Sequence, residues 1–580
     1  MRIVIVGGVA GGMSTAARAR RLDESAEIIV LERGDDVSFA NCGLPYHVAD
    51  EIERRSDLLL HTPESLKASL GLDVRIRSEV TAIDPQSRSV MVRDHLKGLS
   101  YTLAYDALVL ATGAEPIVPP IAGVEHPAVH TLRTVPDADV LRAQIEDGAK
   151  SAVVIGAGFI GLEVVEAFRR RGLEVTLVEL APAVLPALDA DMANLVESEL
   201  GRNGVTVLTG IAASAFEPRD GSGVDVVLTD GQRLSADIVL MGVGVRPATG
   251  LARECGLELS ERGAIVLARE CGLELSERGA IVVDEQQRTS DPHIWAVGDA
   301  TQVVDAITGA PAVVPLAGPA NRQGRIAANS ICGRETAAQP VMGTAIVRVF
   351  DLTAAVTGHT SRALDRAGIA HHVVHLHPND HASYYPGATA IHLAVMFGYD
   401  GRILGAQAVG AAGVDKRIDV FATAIRAGMS MGDLAELELA YAPPFGSAKD
   451  PINMAGFIGA NVLDGTLTLW SARDLETVTG SDYLLLDVRS AAEFATGHLP
   501  GAVNVAHTDL RDRLSEVQKI ARGRPVWVHC ASGFRSYLAH RILTGAGIAS
   551  ASLDGGLQTL LASAPEAVIA DMPKHVRLVS

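Results

Sequence analysis

The sequence predicts an α/β protein of several domains, and three observations carry that prediction. A strand that runs through a glycine-rich turn into a helix occurs twice, at the N-terminus and again after Ser151. Further apolar strands end in glycine turns at Leu108–Gly113, Met241–Pro247 and Ile294–Ala300. Beyond residue 470 a separate α/β pattern begins, with a cysteine loop between a strand and a helix. A chain of 580 residues is too long for one core, so three or four domains are expected.

Composition narrows the class. The net charge of -19 argues against a nucleic-acid partner. No apolar run approaches a spanning helix, so no membrane partner is expected. The chain opens directly into the strand Arg2-Ile3-Val4-Ile5-Val6, which leaves no room for a signal peptide and predicts a cytoplasmic protein. Its five cysteines (42, 255, 271, 332, 530) are scattered, as in a reducing compartment where thiols do chemistry.

The first unit passes from strand 2–6 through Gly7-Gly8-Val9-Ala10-Gly11-Gly12 into a helix expected from Met13 to Leu22, then a strand ending at Glu32. Glycines there let the backbone close on a pyrophosphate at the helix N-terminus, and the terminal acid suits a ribose hydroxyl pair. Next comes Val37-Ser38-Phe39-Ala40-Asn41-Cys42-Gly43-Leu44-Pro45-Tyr46. Pro45 marks a helix start, and the helix N-terminus is expected to favour the Cys42 thiolate. The second unit runs from strand 151–155 through Gly156-Ala157-Gly158-Phe159-Ile160-Gly161 into a helix over 162–171 and a strand ending at Glu179. An acid there accepts a 2′-hydroxyl and repels a 2′-phosphate, so NADH is expected over NADPH. Two such units imply two dinucleotides, one fixed and one exchanging.

With the later glycine strands, these motifs resemble the two-dinucleotide flavoprotein disulfide reductase family over residues 1–455. The resemblance implies FAD at Gly7, Gly8, Gly11, Gly12, Glu32, Thr112, Gly113 and Asp299, and NADH at Gly156, Gly158, Gly161 and Glu179. It implies an FAD-binding domain in two parts (1–114 and 248–335), an NAD-binding domain (115–247) and an α+β dimerisation domain (336–455), hence a homodimer. Leu251–Val266 recurs unchanged at Leu267–Val282. One copy is surplus to the pattern and is expected to loop out, and Cys255 and Cys271 within it receive no redox role.

Dithiol members of that family carry a second cysteine five residues after the first. Here that position is His47, so the redox partner of Cys42 must be a small thiol, a sulfane sulfur or an oxygen atom. Ser38–Tyr46 resembles the coenzyme A-disulfide reductase branch, and Ala10 stands where the peroxidase branch has histidine. By that resemblance Ser14, Arg18, Arg21, Ser38 and Asn41 contact coenzyme A. Guanidinium groups suit its phosphates. The segment Tyr441–Pro451 resembles the one that reaches the partner subunit's active site, which aims Tyr441 at the cysteine and flavin and Lys449 at coenzyme A. Tyr384 or Tyr385 supplies a second phenol. Asn321 stands where the branch often has a substrate-contacting histidine.

In the C-terminal pattern, Leu484–Arg489 leads to Gly497-His498-Leu499-Pro500-Gly501-Ala502, and strand 525–529 leads to Cys530-Ala531-Ser532-Gly533-Phe534-Arg535-Ser536. Loop N–H groups, a helix N-terminus and Arg535 can converge on the sulfur as a thiolate or persulfide nest. A phosphatase would share a Cys…Arg loop. Asp487-Val488-Arg489 and the Gly-His-Leu-Pro-Gly-Ala segment resemble instead a rhodanese domain, over 470–570. The complete expectation is two Rossmann-like domains, a dimerisation domain and an α/β rhodanese domain. They imply an NADH- and FAD-dependent reductase of coenzyme A disulfide, coenzyme A persulfide or polysulfide. Cys42 and Tyr441 would be catalytic there, while Cys530 and Arg535 handle sulfane sulfur. An NADH oxidase or peroxidase with a Cys42 sulfenic acid, and a sulfur-transfer or redox-sensing protein, are the competing readings.

Overall fold

The computed structural model describes residues 1–219, 223–249, 251, 279–478, 482–564 and 567–568. Most of the repeated segment, with Cys255 and Cys271, lies outside the described residues, and so does the expectation that one copy loops out. The chain forms two compact units, Met1–Leu180 with Ile211–Gly343, and Ala181–Gly210 with Thr344–Ser580.

In the first unit, strands Ile294–Ala296, Ala107–Leu110, Arg2–Val6, Glu27–Leu31 and Asp73–Arg75 form a parallel sheet in that order. Ile3, Val4 and Ile5 are fully buried, because both faces of the sheet are covered. Helices Ala10–Leu22 and Ala317–Ile331 cover one face with Met13, Ala16, Ala19, Ala327 and Ala328. An antiparallel sheet of Ser78–Asp84, Ser89–Asp94 and Leu99–Ala104 supplies Val80, Val90 and Val92 to the other. The first helix begins at Ala10, not at Met13: Gly7 takes φ +107°, and the chain is wound before the last two glycines of the turn.

A second parallel sheet in this unit carries Glu174–Glu179, Ser151–Ile155, Ile238–Met241 and Val129–His130 in that order. Its helix runs Phe159–Arg170 and so also starts inside the glycine turn, earlier than the expected 162.

The second unit holds an antiparallel sheet in the order Ala345–Val349, Leu352–Gly358, Ile403–Gly410, Ile391–Phe397, His372–Leu376. Its C-terminal parallel sheet runs Leu469–Trp470, Ser550–Leu553, Val526–His529, Leu484–Asp487, Val503–Asn504. Helix Ala190–Arg202 belongs to this unit, within Ala181–Gly210, although the chain before and after that segment lies in the first. Asp189 at its start accepts from Gln407 Nε2 at 2.6 Å, and Asn194 Nδ2 donates to the Ala562 carbonyl at 2.6 Å.

Candidate functional site

The two glycine turns are built alike. A Cβ on Gly7 would stand 2.2 Å from the Ala111 carbonyl oxygen, and one on Gly156 (φ +101°) 2.5 Å from that of Gly242. Neither following helix has a side-chain cap, so the first-turn N–H groups face the turn. Nothing stands within 4 Å of where a Gly158 Cβ would lie, which leaves the backbone open to close approach. The acids do more than expected: Glu32 accepts from Gly8 N–H and Gly34 N–H, each at 2.8 Å, and Glu179 accepts from Ala157 N–H at 2.6 Å. They brace the turns as well as standing beside them.

Arg133 is a residue that motif reading missed. Its guanidinium lies against Gly113, and Nη1 is buried without a partner. Burial, and then Arg33, press its pKa down, while Glu115, Asp299 and Glu32 oppose that. An unsatisfied buried guanidinium beside an uncapped helix and a glycine turn fits the pyrophosphate of a flavin dinucleotide. Asp299 sits in the short 3-10 turn Gly298–Ala300, held by Gln323 Oε1 accepting from Gly298 N–H at 2.7 Å. Burial raises its pKa, against the pull of Arg133.

Cys42 lies in a 3-10 turn, Asn41–Gly43, directly before helix Leu44–Val48. The helix start is where Pro45 indicated, but its effect on the thiol is not. Although Cys42 is solvent-accessible, desolvation by its surroundings raises the thiol pKa, and the carboxylates of Glu163 and Asp299 raise it further. One helical turn is too short to outweigh them. Tyr46 donates its hydroxyl to Glu163 at 3.1 Å. Ser38 holds φ +51°, its N–H donating to the Gly8 carbonyl at 2.8 Å, so the cysteine loop is tied to the first glycine turn.

The first helix and helix Ala317–Ile331 cross closely, since a Cβ on Gly324 would stand 2.4 Å from the Gly11 carbonyl oxygen. The crossing brings two expected coenzyme A residues together: Ser14 Oγ lies 2.6 Å from Asn321 Oδ1. Arg18 Nε donates to Asn329 Oδ1 at 2.9 Å. Burial, then Arg325, Arg334 and Arg21, lower the pKa of Arg18. No carboxylate of the described residues pairs with these four guanidiniums. Arg325 and Arg334 were invisible to local reading because they come from helix Ala317–Ile331 and the loop just past its end, far along the chain. Asn41 is exposed beside Cys42.

In the second unit, Tyr384 and Tyr441 place their hydroxyls 3.0 Å apart, and both rings are exposed, at 73% and 49%. Tyr385 instead lies edge-on against His381. The hydrogen bond with Tyr441, and then desolvation, raise the pKa of Tyr384. Lys449 is exposed close by in sequence, just before the helix cap Asp450.

Cys530 is fully buried at the end of strand Val526–His529. Its Sγ accepts from Gly533 N–H at 3.2 Å and Ser536 N–H at 3.3 Å, and meets Ser536 Oγ at 3.4 Å. Gly533 takes φ +93° to turn its amide inward. Arg535 corrects the expectation: its guanidinium does not stand free over the sulfur but pairs bidentately with Glu493, at 2.8 and 2.6 Å. That pairing, opposed by partial burial, holds the Glu493 carboxyl down at about 2. Backbone amides and Ser536 therefore hold the sulfur, and Arg535 contributes at longer range.

The chain matches the model described as pyridine nucleotide-disulphide oxidoreductase at residues 1–271 and 265–324, two spans that overlap inside the repeat. The dimerisation domain of the same description matches 344–450, and a rhodanese-like domain matches 469–562. A Methanocaldococcus jannaschii protein named NADH oxidase is 34% identical over 78% of this chain and 98% of its own length. A Staphylococcus haemolyticus coenzyme A disulfide reductase is 34% identical over 79% of this chain and 98% of its own. Among solved structures, reduced CoADR-RHD of Bacillus anthracis aligns with a TM-score of 0.92 at 41% identity, covering 98% of this chain and 99% of that one. An NAD-dependent persulfide reductase from A. fulgidus aligns with a TM-score of 0.87 at 37% identity, covering 96% and 100%.

Proposed function

Because the chain belongs to the pyridine nucleotide-disulphide oxidoreductase family, we propose that it is a homodimeric, NADH-dependent reductase of coenzyme A persulfide and coenzyme A disulfide, with Cys42 as its one redox cysteine. One observation carries the sulfane-sulfur part: the same chain holds Cys530, buried, with backbone amides converging on its sulfur. A flavin held at the first glycine turn by Glu32, Arg133 and Asp299 would supply two-electron transfer from the nicotinamide to sulfur.

The protein's own groups do the rest. The guanidiniums of Arg18, Arg21, Arg325 and Arg334, with no carboxylate partner among the described residues, attract the phosphates of coenzyme A, and Ser14 and Asn321 offer hydrogen bonds beside them. Cys42 thiolate displaces HS⁻ from coenzyme A persulfide, or one coenzyme A thiolate from the disulfide, and forms a mixed disulfide with the remaining coenzyme A. Two electrons then break that bond, returning Cys42 to thiolate and releasing coenzyme A thiol. A phenol of the Tyr384–Tyr441 pair, reaching across the dimer, gives the leaving thiolate its proton. Glu179 favours NADH over NADPH.

The test is anaerobic NADH oxidation with each substrate. Cys42→Ser is expected to lose at least about a thousandfold in kcat, as removing a nucleophile does, while Cys530→Ser retains reduction of coenzyme A disulfide. A Cys42→Ser protein that still turns over at the wild-type rate would remove this cysteine from the mechanism. The relative named NADH oxidase favours oxygen as a second acceptor. Oxygen consumption faster than either sulfur substrate would select it.

A further inference from the structure

Edge strand His372–Leu376 of the second unit meets the C-terminal sheet through a cluster that none of the chemistry above uses. His375 Nδ1 lies 2.5 Å from Asp554 Oδ2, and its Nε2 lies 2.8 Å from Asp191 Oδ2. Its backbone N–H donates to Asp554 Oδ1 at 2.8 Å. His377 Nε2 lies 3.1 Å from the Gly555 carbonyl oxygen and 2.9 Å from Thr559 Oγ1, while its Nδ1 lies 2.8 Å from Nδ1 of His392. On the C-terminal side the contacts of these two histidines fall on Asp554, Gly555 and Thr559.

That same turn is the floor of the cysteine loop. Leu557 N–H donates to the Cys530 carbonyl at 2.9 Å, and Gln558 N–H to that of Ala531 at 3.0 Å. Gly555 and Gly556 take φ +62° and +66°, and a Cβ on Gly556 would stand 2.6 Å from Ser532 N. A shift of the turn is thus passed directly to the backbone whose amides hold the sulfur.

Both ring nitrogens of His375 face carboxylate oxygens, so only the imidazolium, a donor at each, satisfies both. Burial disfavours that charge, but Asp554 and Asp191 outweigh it and hold the ring's pKa well above its ordinary value. Burial, then His392 and His375, push His377 well below, and burial lowers His392. Asp191, Asp554, His377 and His392 are the titratable groups facing this imidazolium, and His375 carries the only positive charge among them.

We propose that His375 is a positioning residue for Cys530: bridging Asp191 and Asp554, it fixes the Gly555–Gly556 turn and so keeps the sulfur loop in its transfer-competent shape. This rests on the reading that Cys530 transfers sulfane sulfur. Because the bridge needs the imidazolium, it holds below the raised pKa of His375 and is lost as pH rises through it.

The experiment follows thiocyanate release from thiosulfate and cyanide by the full-length flavin-loaded protein across pH, with NADH-coupled reduction of coenzyme A disulfide as the internal control. His375→Gln is expected to lower kcat for thiocyanate roughly tenfold or more, to lack the wild-type fall at alkaline pH, and to leave the Cys42 reaction unchanged. Asp191→Asn, which keeps the imidazole but removes one carboxylate, is expected to move that alkaline fall to lower pH, and it decides the matter if His375→Gln does not fold. Wild-type rates and pH profile in the variants would overturn the proposal. Thiocyanate release by Cys530→Ser equal to wild type would overturn the sulfur-transfer reading on which it stands.

Discussion

The Cys42 thiol is held up by burial and by the carboxylates of Glu163 and Asp299, so its thiolate depends on charge brought by what binds beside it. Glu163→Gln deletes one of those carboxylates and must lower the thiol pKa. Alkylation of Cys42 by iodoacetamide at neutral pH is expected to rise about threefold, a fraction of a kcal/mol at an effective dielectric near 20. A peptide-resolved mass-spectrometric rate would check it. At this scale the sequence revealed residues that sit in motifs. Cys42, Ser14, Asn321 and Cys530 were all readable, and Ser14 and Asn321 do meet. Arg133, Arg325 and Arg334 were not, because no local pattern marks a side chain that matters only through a distant neighbour. The pairing of Arg535 was hidden for a related reason: its partner Glu493 lies on another element, in the first turn of helix Ala491–Thr496, whose N-cap is Ser490.

At the level of elements, the glycine turns were legible because their backbone demands are stereotyped, whereas the helix starts were not, since glycines that look like turn residues are already wound into helix. The two turns make separable predictions. Gly7→Ala places a Cβ in contact with the Ala111 carbonyl at a positive φ. It is expected to destabilise the fold by 2 kcal/mol or more, roughly the cost of strain plus overpacking, and to release flavin, read as lost visible absorbance. Gly156→Ala is expected to keep the flavin and raise the KM for NADH. The sulfur loop carries its own acid sensitivity. Glu493 has a folded pKa near 2, below its ordinary 4.5, so its contribution is full above that ordinary value and fades as pH falls toward 2. Its side chain is 38% exposed, which screens the pairing to about 1 kcal/mol. His529, buried with neither ring nitrogen in a hydrogen bond, is lowered to about 4 chiefly by burial, so its neutral form is also lost from the folded state only in acid. Thermal melts from pH 6.5 to 3 are expected to fall steeply, and less steeply in Glu493→Gln.

For the whole molecule, the exposed Tyr384, Tyr441 and Phe445 of the second unit, with the match to a dimerisation domain, define what a dimer must supply. If the phenols serve the partner's cysteine, Cys42→Ser and Tyr441→Phe fail at different halves of one composite site. Mixing the two inactive parents under subunit exchange is expected to restore roughly a quarter of wild-type activity, because half the dimers are mixed and each has one intact site. No recovery would mean that each chain is self-sufficient. The kinds of domain were readable, the nucleotide-binding and rhodanese-like ones from their strand and turn motifs and the dimerisation domain from family resemblance.

The placement of helix Ala190–Arg202 bears on how the chain is born. Its apolar residues Met192, Ala193, Val196 and Leu200 are buried, and beside Val205–Thr209 the helix packs on strands Leu352–Gly358 and Ile403–Gly410 and on helix Gly556–Ser563, all synthesised long after it. On the ribosome the nucleotide-binding half emerges first, and through that interval this helix lacks its later-made partners. The nascent protein therefore carries a temporarily sticky segment in its middle, and its safe arrival depends on the late-made half closing over it before another chain does.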